Sequence, residues 1–208
     1  MAYATIDDLR EALRDFSSGA DETRWQSKLD EAQRTIENVC HRRFEASAAE
    51  VRYIDYGKPY VNGFTLMLPW DCCRIVTVTN GDGTEITPTD YVTNPRLRTV
   101  LSGESRLPST PEAWPFYSIQ LKANSGYSWT YDSDPEEAIS VKGYWAFSET
   151  PPADIIAATI RLADWFYHQS DNLVDVDENT VAKPGVLMTM ADLPLDVQRR
   201  LLRYVKLV

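Results

Sequence analysis

The sequence predicts an α+β protein: a discontinuous helical bundle of about four helices with an inserted antiparallel β domain. Three observations predict it. Apolar residues recur at helical spacing at both ends of the 208-residue chain. Between them, roughly one hundred residues break into short β-branched runs separated by Gly- and Asn-containing turns. Neither helical end carries enough apolar surface to fold alone, so the two are expected to close on each other. The boundaries fall where the periodicity changes, giving a helical domain from residues 1–48 and 150–208 and an inserted β-rich domain from 49–149.

Thr5 is an N-cap residue type, and Asp7 and Asp8 follow it in the first turn, where the positive helix end favours carboxylates. Ile6, Leu9, Leu13 and Phe16 then mark the first helix, which Ser17-Ser18-Gly19 stops. The second helix is expected from about Glu22 to Arg43, with an apolar stripe of Trp25, Leu29, Ala32, Ile36 and Val39 and a polar far side of Lys28, Asp30, Glu31, Arg34 and Glu37.

From Glu50 the pattern becomes strand-like. Val51, Tyr53 and Thr65-Leu66-Met67-Leu68 read as strands around a Gly57-Lys58-Pro59 turn. Arg74 to Thr79 is the strongest strand. Asn80-Gly81-Asp82-Gly83 and Thr84-Glu85-Ile86 complete a hairpin, with Asn-Gly and Asp-Gly both read as sources of positive φ. Further strands are read at Tyr91–Thr93, Ile119–Lys122 and Ile139–Tyr144, and Ser102–Tyr117, with Pro108, Pro111 and Pro115, reads as a loop.

The third helix starts after Pro151-Pro152, where a missing N–H is harmless, and runs to about Ser170. Its stripe is Ile155, Thr159, Leu162 and Phe166, widened by Ile156, Ile160, Ala163 and Tyr167. After an acidic loop (Asp171, Asp175, Asp177, Glu178), the last helix begins near Pro194 with Leu195, Leu201, Leu202 and Val205 apolar and Arg199, Arg200, Arg203 and Lys206 on its exposed side.

A net charge of −10 and a pI near 4.7 argue against a protein that grips nucleic acid through basic faces, though not against one that surrounds DNA without holding it. Forty-three per cent hydrophobic residues suffices for a core. Cys40, Cys72 and Cys73 are odd in number and lack metal spacing, so reduced thiols and a cytoplasmic origin are expected. No apolar run reaches the roughly 20 residues of a membrane span. The opening residues lack the basic and apolar regions of a signal peptide.

The candidate chemistry is sparse. Cys40-His41 and His168 lie where helix C-termini are expected, and the histidines read as caps rather than as partners of a nucleophile. Asp175-Val176-Asp177-Glu178-Asn179 begins like a calcium loop, but Thr180 and Val186 stand where glycine and the bidentate glutamate belong. Trp114, Phe116, Tyr117, Tyr127, Trp129, Tyr131, Tyr144 and Trp145 form an aromatic segment that fits a β core, a protein interface or, with Asp132, Asp134, Glu136 and Glu137, a sugar-binding face. Arg199, Arg200, Arg203 and Lys206 read either as a solvated helix end or as a docking site. There is no phosphate loop, Ser-His-Asp array or metal-ligand cluster, so neither an enzyme nor a cofactor is expected.

An ordered set of segments resembles the head–tail connector (adaptor) proteins of tailed double-stranded DNA bacteriophages. It comprises Tyr3-Ala4-Thr5-Ile6-Asp7-Asp8-Leu9; Leu29 through Phe44; Leu68-Pro69, Ile75–Thr79, Asp82-Gly83-Thr84 and Asp90-Tyr91-Val92; and Gly143-Tyr144-Trp145 through Ile155, then Ala157-Ala158 and Leu162-Ala163. Residues 102–134 are longer and more aromatic than that pattern. The resemblance implies a virion protein at the head–tail junction, assembled in the host cytoplasm. It would form a homo-oligomeric ring of twelve copies beneath the portal protein, extend the channel through which genomic DNA passes without sequence-specific contact, and offer a platform to the tail or the next neck protein, with no membrane partner. Arg199, Arg200, Arg203, Lys206, Leu207 and Val208 are then expected to dock on the portal, and Trp114, Phe116, Tyr117, Tyr127, Trp129 and Tyr131 to meet the neck, tail or a neighbouring subunit. The alternative is a tail-associated carbohydrate-binding module or glycan-acting enzyme using the aromatic and acidic middle.

Overall fold

The computed structural model describes residues 3–13, 22–95, 114–172 and 189–206. The chain divides into two compact units, Met1–Arg42 with Pro151–Val208, and Arg43–Thr150. Among the described residues, the first holds four α-helices and the second two antiparallel sheets.

In the helical unit, α1 (Ile6–Ala12) opens on a reciprocal cap. The Asp8 N–H donates to Thr5 Oγ1 at 3.1 Å, and the Thr5 N–H and hydroxyl donate to Asp8 Oδ2, each at 2.7 Å. Those donors, the backbone one foremost, hold the Asp8 carboxyl below its usual range. Phe16 and the Ser17-Ser18-Gly19 stop lie outside the described residues. α2 (Glu22–Cys40) buries Trp25, Leu29, Ala32, Ile36 and Cys40. The last place of the stripe thus falls to Cys40, and Val39 is only half-buried. Past the helix, His41 takes φ +53° and the Arg42 N–H reaches back to the Glu37 carbonyl at 3.3 Å, the bond that closes a left-handed C-terminal turn. The backbone of His41, rather than its ring, makes the cap.

α3 (Ala153–Asn172) buries Ile155, Ala158, Thr159, Leu162, Ala163 and Phe166. Thr159, a polar residue in this stripe, is satisfied by donating to the Ile155 carbonyl at 2.8 Å. α2 and α3 pack along their stripes, with Trp25 stacked on Tyr167 at 3.8 Å between centroids and the Arg24 guanidinium over the same Tyr167 ring. α4 (Leu195–Leu201) packs on α3 and runs into a tight turn, Leu202–Tyr204. Its buried side is Val197, Leu201 and Tyr204, while Leu195 and Leu202 are exposed. Of the apolar side expected for this helix Leu201 is buried, but Leu195 and Leu202 are corrected to exposed positions, and the buried i, i+4, i+7 row runs through Val197, Leu201 and Tyr204.

In the β unit, one sheet has the order β1 (Glu50–Ile54), β8 (Ile139–Tyr144), β4 (Arg74–Thr79), β5 (Glu85–Ile86). The other has the order β2 (Val61–Asn62), β3 (Thr65–Cys72), β7 (Phe116–Leu121), β6 (Tyr91–Asn94). One apolar core serves both sheets, with Ile54, Val78, Ile86, Ile139 and Val141 from the first and Leu66, Leu68, Tyr91, Ile119 and Leu121 from the second. The chain changes sheet at Cys73, between β3 and β4. There the strands approach so closely that a Cβ on Gly143 would lie 2.6 Å from the Arg74 carbonyl oxygen and 3.0 Å from Cys72 Sγ.

Two strand expectations need correction, at Gly81 and at Phe116-Tyr117. The strands around the Gly57-Lys58-Pro59 turn form as expected but do not pair with each other, since β1 pairs with β8 and β3 with β2 and β7. The hairpin β4–β5 forms as expected, but only Gly83 of its two turn glycines has positive φ (+80°). Gly81 is needed for close approach instead: a Cβ there would lie 2.5 Å from the Thr130 carbonyl oxygen. Phe116 and Tyr117 belong to the inner strand β7, directly after Pro115, whose missing N–H costs nothing at a strand start. The expected loop at 102–113 lies outside the described residues.

Candidate functional site

The six aromatic candidates part company. Phe116 and Trp129 are core residues, 6 % and 4 % exposed, and the Trp129 indole N–H donates to the Phe64 carbonyl at 3.0 Å. Their burial follows from the pleat and from the satisfied indole, and it removes both from any docking face. Tyr127 is partly buried against the same core. Trp114, Tyr117 and Tyr131 are exposed, with Tyr131 tilted against Tyr56 at 4.9 Å. A sugar platform built on Trp129 is therefore lost, although Asp132, Asp134, Glu136 and Glu137 are all exposed nearby in sequence.

Sequence reasoning passed over the aromatic–cation stack at the edge of the first sheet. Arg52 occupies an inward-facing position of edge strand β1, cross-strand from the core residue Val141. Its guanidinium lies 4.8 Å from the Trp70 ring and 5.0 Å from the Trp145 ring, and the Trp145 N–H donates to the Glu50 carbonyl at 2.9 Å. A charged side chain turned inward on an edge strand discourages uncontrolled strand pairing while its planar head covers two indoles. The local signal is the alternation of Arg52 with Val51 and Tyr53, which puts Arg52 on the face of Ile54; its pairing opposite Val141 is set by a strand distant in sequence.

The basic cluster is in part consumed within the helical unit. Arg203 pairs with Asp154 at the start of α3, and Arg200 lies 3.9 Å from the same carboxylate. Arg203 also donates to the Tyr204 hydroxyl at 2.6 Å. The Lys206 backbone N–H donates to the Cys40 carbonyl at 2.9 Å, fastening the end of this segment to α2. A second tie runs from Arg161 to Asp196 at 3.0 Å. Arg199 stays exposed. Leu207 and Val208 lie outside the described residues, as does the Asp175–Val186 calcium-like stretch.

The thiols and imidazoles do not converge. Burial pushes the Cys40 and Cys72 thiols up to about 12 and Cys73 to about 11, so none is a nucleophile at neutral pH. His168 lies about one turn before the end of α3 at Asn172, and its Nε2 is 3.2 Å from the Asp164 carboxylate. A groove of about 660 Å³ along α1 and α2 is lined by Ile6, Glu22, Gln26, Asp30, Glu31 and Arg34 among others. Its acids are already engaged, Glu22 by Arg10, Asp30 by Gln26 and Glu31 by Lys28. Among the described residues, no group of His, Cys, Asp and Glu could hold a metal ion, and no helix is long and apolar enough to cross a membrane.

Among the described residues, these surfaces bring no set of thiols, imidazoles and carboxylates together. No protein-family model and no curated protein matches the sequence. Solved structures do match in fold. A chain in the neck of a native gene transfer agent (GTA) particle, computed with C12 symmetry, superposes with a TM-score of 0.53 at 13% identity over 98% of this chain and 88% of that one. A chain in the neck of an empty GTA particle, computed with C6 symmetry, gives 0.52 at 14% identity over 97% and 88%. One in the virion of a native GTA particle gives 0.54 at 14% identity over 97% and 89%. At these identities the likeness is one of fold, and its 97–98% coverage takes in residues of both units.

Proposed function

We propose that the chain is a structural neck protein, a head-to-tail adaptor of a tailed-phage-like particle. In this reading it forms a homo-oligomeric ring under the portal, extends the DNA channel and presents a platform to the tail or the next neck component. The single observation that carries the reading is a shared fold, over 97–98% of the chain, with chains of particle necks. Net charge of −10 fits a channel wall past which DNA slides. Twelve copies per ring is the number the family resemblance implies.

The portal-facing group in this reading is the end of α4 with the C-terminal residues beyond it: Arg199, Arg200, Arg203, Lys206, Leu207 and Val208. Truncation is a poor test, because Leu201 and Tyr204 are core residues of the helical unit. Charge reversal avoids that confound. Particles assembled with Arg199→Glu and Lys206→Glu together are expected to package DNA but to lose tails, with infectivity or transfer falling at least about tenfold for each 1.4 kcal/mol of docking energy removed. Full tail joining by this variant would refute the docking assignment, and absence of the wild-type chain from purified particles would refute the adaptor reading itself.

A further inference from the structure

The β unit carries two Asn-Gly pairs, and the fold closes one and leaves the other open. Asn80-Gly81 is closed. The Asn80 side chain is buried; its Nδ2 donates to the Ser128 carbonyl at 2.8 Å and its Oδ1 accepts from the Thr130 N–H at 3.1 Å. The Gly81 N–H donates to the Thr130 carbonyl at 3.2 Å, and Thr130, Tyr131 and Ala138 crowd the space beside its Cα. Asn62-Gly63 is open. β2 pairs with β3 in the register Val61↔Leu66 and Asn62↔Thr65, so Gly63-Phe64 is a two-residue hairpin loop, and the φ of +58° at Gly63 is what the first place of such a loop demands. Asn62 is exposed, and nothing beyond the chain neighbours stands within 4 Å of where a Gly63 Cβ would lie. Among the described residues, none hydrogen-bonds the Asn62 side chain or the Gly63 N–H. β2 is a two-residue edge strand held through two register pairs.

We propose that Asn62 is a site of spontaneous deamidation, with the Gly63 nitrogen as nucleophile and solvent hydroxide and water as co-reactants. Hydroxide removes the Gly63 amide proton, and the nitrogen attacks Asn62 Cγ, forming a new N–C bond. The Cγ–Nδ2 bond then breaks; the leaving nitrogen takes a proton from water and departs as ammonia, and a five-membered succinimide remains. Water opens that ring at either carbonyl. Opening at Cγ gives aspartate; opening at the main-chain carbonyl gives isoaspartate, in which the chain runs through the former side chain. No group is oxidised or reduced. Glycine favours the attack because no Cβ shields its nitrogen. The attack also requires Asn62 to turn out of its paired strand conformation, and opening two register pairs at a sheet edge is a small local event. At Asn80 the same turn must break both amide hydrogen bonds and lift the segment that carries the core residue Trp129. Two other asparagines offer no free nucleophile: Asn94 precedes a proline, and the Ser125 N–H after Asn124 already donates to the Lys122 carbonyl at 3.0 Å. The product adds a carboxylate to a chain of charge −10. Its isoaspartyl form lengthens the main chain by one carbon at the head of a loop whose register has no slack, and so loosens β2 from β3. This chemistry is independent of the neck reading.

Full-length protein aged in mildly alkaline buffer, with and without urea, tests this. Peptide mass spectrometry reads the exchange of amide for acid at each asparagine, electron-transfer fragmentation separates aspartyl from isoaspartyl products, and a digest taken at zero time subtracts conversion during handling. In the folded protein Asn62 is expected to convert at least about tenfold faster than Asn80, and in urea the two rates are expected to agree within about threefold. An Asn62→Gln variant, whose ring closure would need six members, is expected to lose the acidic species that isoelectric focusing resolves in aged wild type, with an unchanged circular dichroism spectrum. Asn62 left intact in the folded protein while both sites convert in urea would overturn the proposal. Equal rates at Asn62 and Asn80 in the folded protein would overturn it as well. So would an Asn62 preference that persists undiminished in urea, because the selection would then lie in the flanking residues and not in the fold.

Discussion

At the scale of single residues, the informative positions are those where backbone comes too close for a side chain. Neither Gly81 nor Gly143 has positive φ, yet each faces a carbonyl oxygen within 2.6 Å of where a Cβ would stand. Gly81→Ala and Gly143→Ala are expected to destabilise the β unit by about 1–3 kcal/mol each, read as a lowered midpoint in urea. Gly63→Ala, with open space around it and φ +58°, is the control for backbone strain alone. The cysteines give a pH signature. In the unfolded chain a thiol ionises near 9.0, whereas the buried Cys40 and Cys72 hold their protons to about 12. The folded pKa is raised, so the stabilisation is complete below pH 9 and is lost as pH rises toward 12. Stability measured across about pH 8–11 is expected to fall, and a Cys40→Ala variant to fall less steeply. Asp8 works in the opposite sense: its lowered pKa stabilises α1 above its ordinary value of 3.8, and the effect is lost as pH falls through the folded value. Thr5→Ala is expected to cost about 1 kcal/mol at neutral pH.

At the scale of elements, periodicity was legible wherever burial was one-sided. The stripes of α2 and α3 could be read because each buries one face against the other, and the β4–β5 hairpin because its turn chemistry is local. What escaped was set by partners distant in sequence. Cys40 rather than Val39 ends the α2 stripe because the helix closes one residue later into the His41 turn. α4 turned the Val197, Leu201 and Tyr204 row inward, a choice made by α3 and invisible in so short a stretch of sequence. The pairing of β1 with β8 spans most of the β unit, and no local pattern announces it. Of the candidate site, the sequence yielded the residue types but not their sides: Phe116 and Trp129 belong to the core, and Arg52 with Trp70 and Trp145 was not singled out. Two substitutions test the α2 correction. Cys40→Asp is expected to unfold the helical unit, by burying an unpaired charge, while Val39→Asp stays within about 1 kcal/mol of wild type by thermal melting.

At the scale of the whole molecule, the chain carries contact surfaces and no assembled chemistry among its described residues, and its fold is shared with chains of GTA particle necks. Helices packed through α2 and α3 make one unit, and two antiparallel sheets around one core make the other. The central claim is that this chain builds the neck. A cryo-EM reconstruction of the purified particle, symmetry-averaged about the tail axis, tests it most directly. The account predicts a closed ring between portal and tail whose subunit density fits both the helical unit and the β sandwich. A neck fully accounted for by other chains, with this one absent or placed elsewhere in the particle, would contradict it.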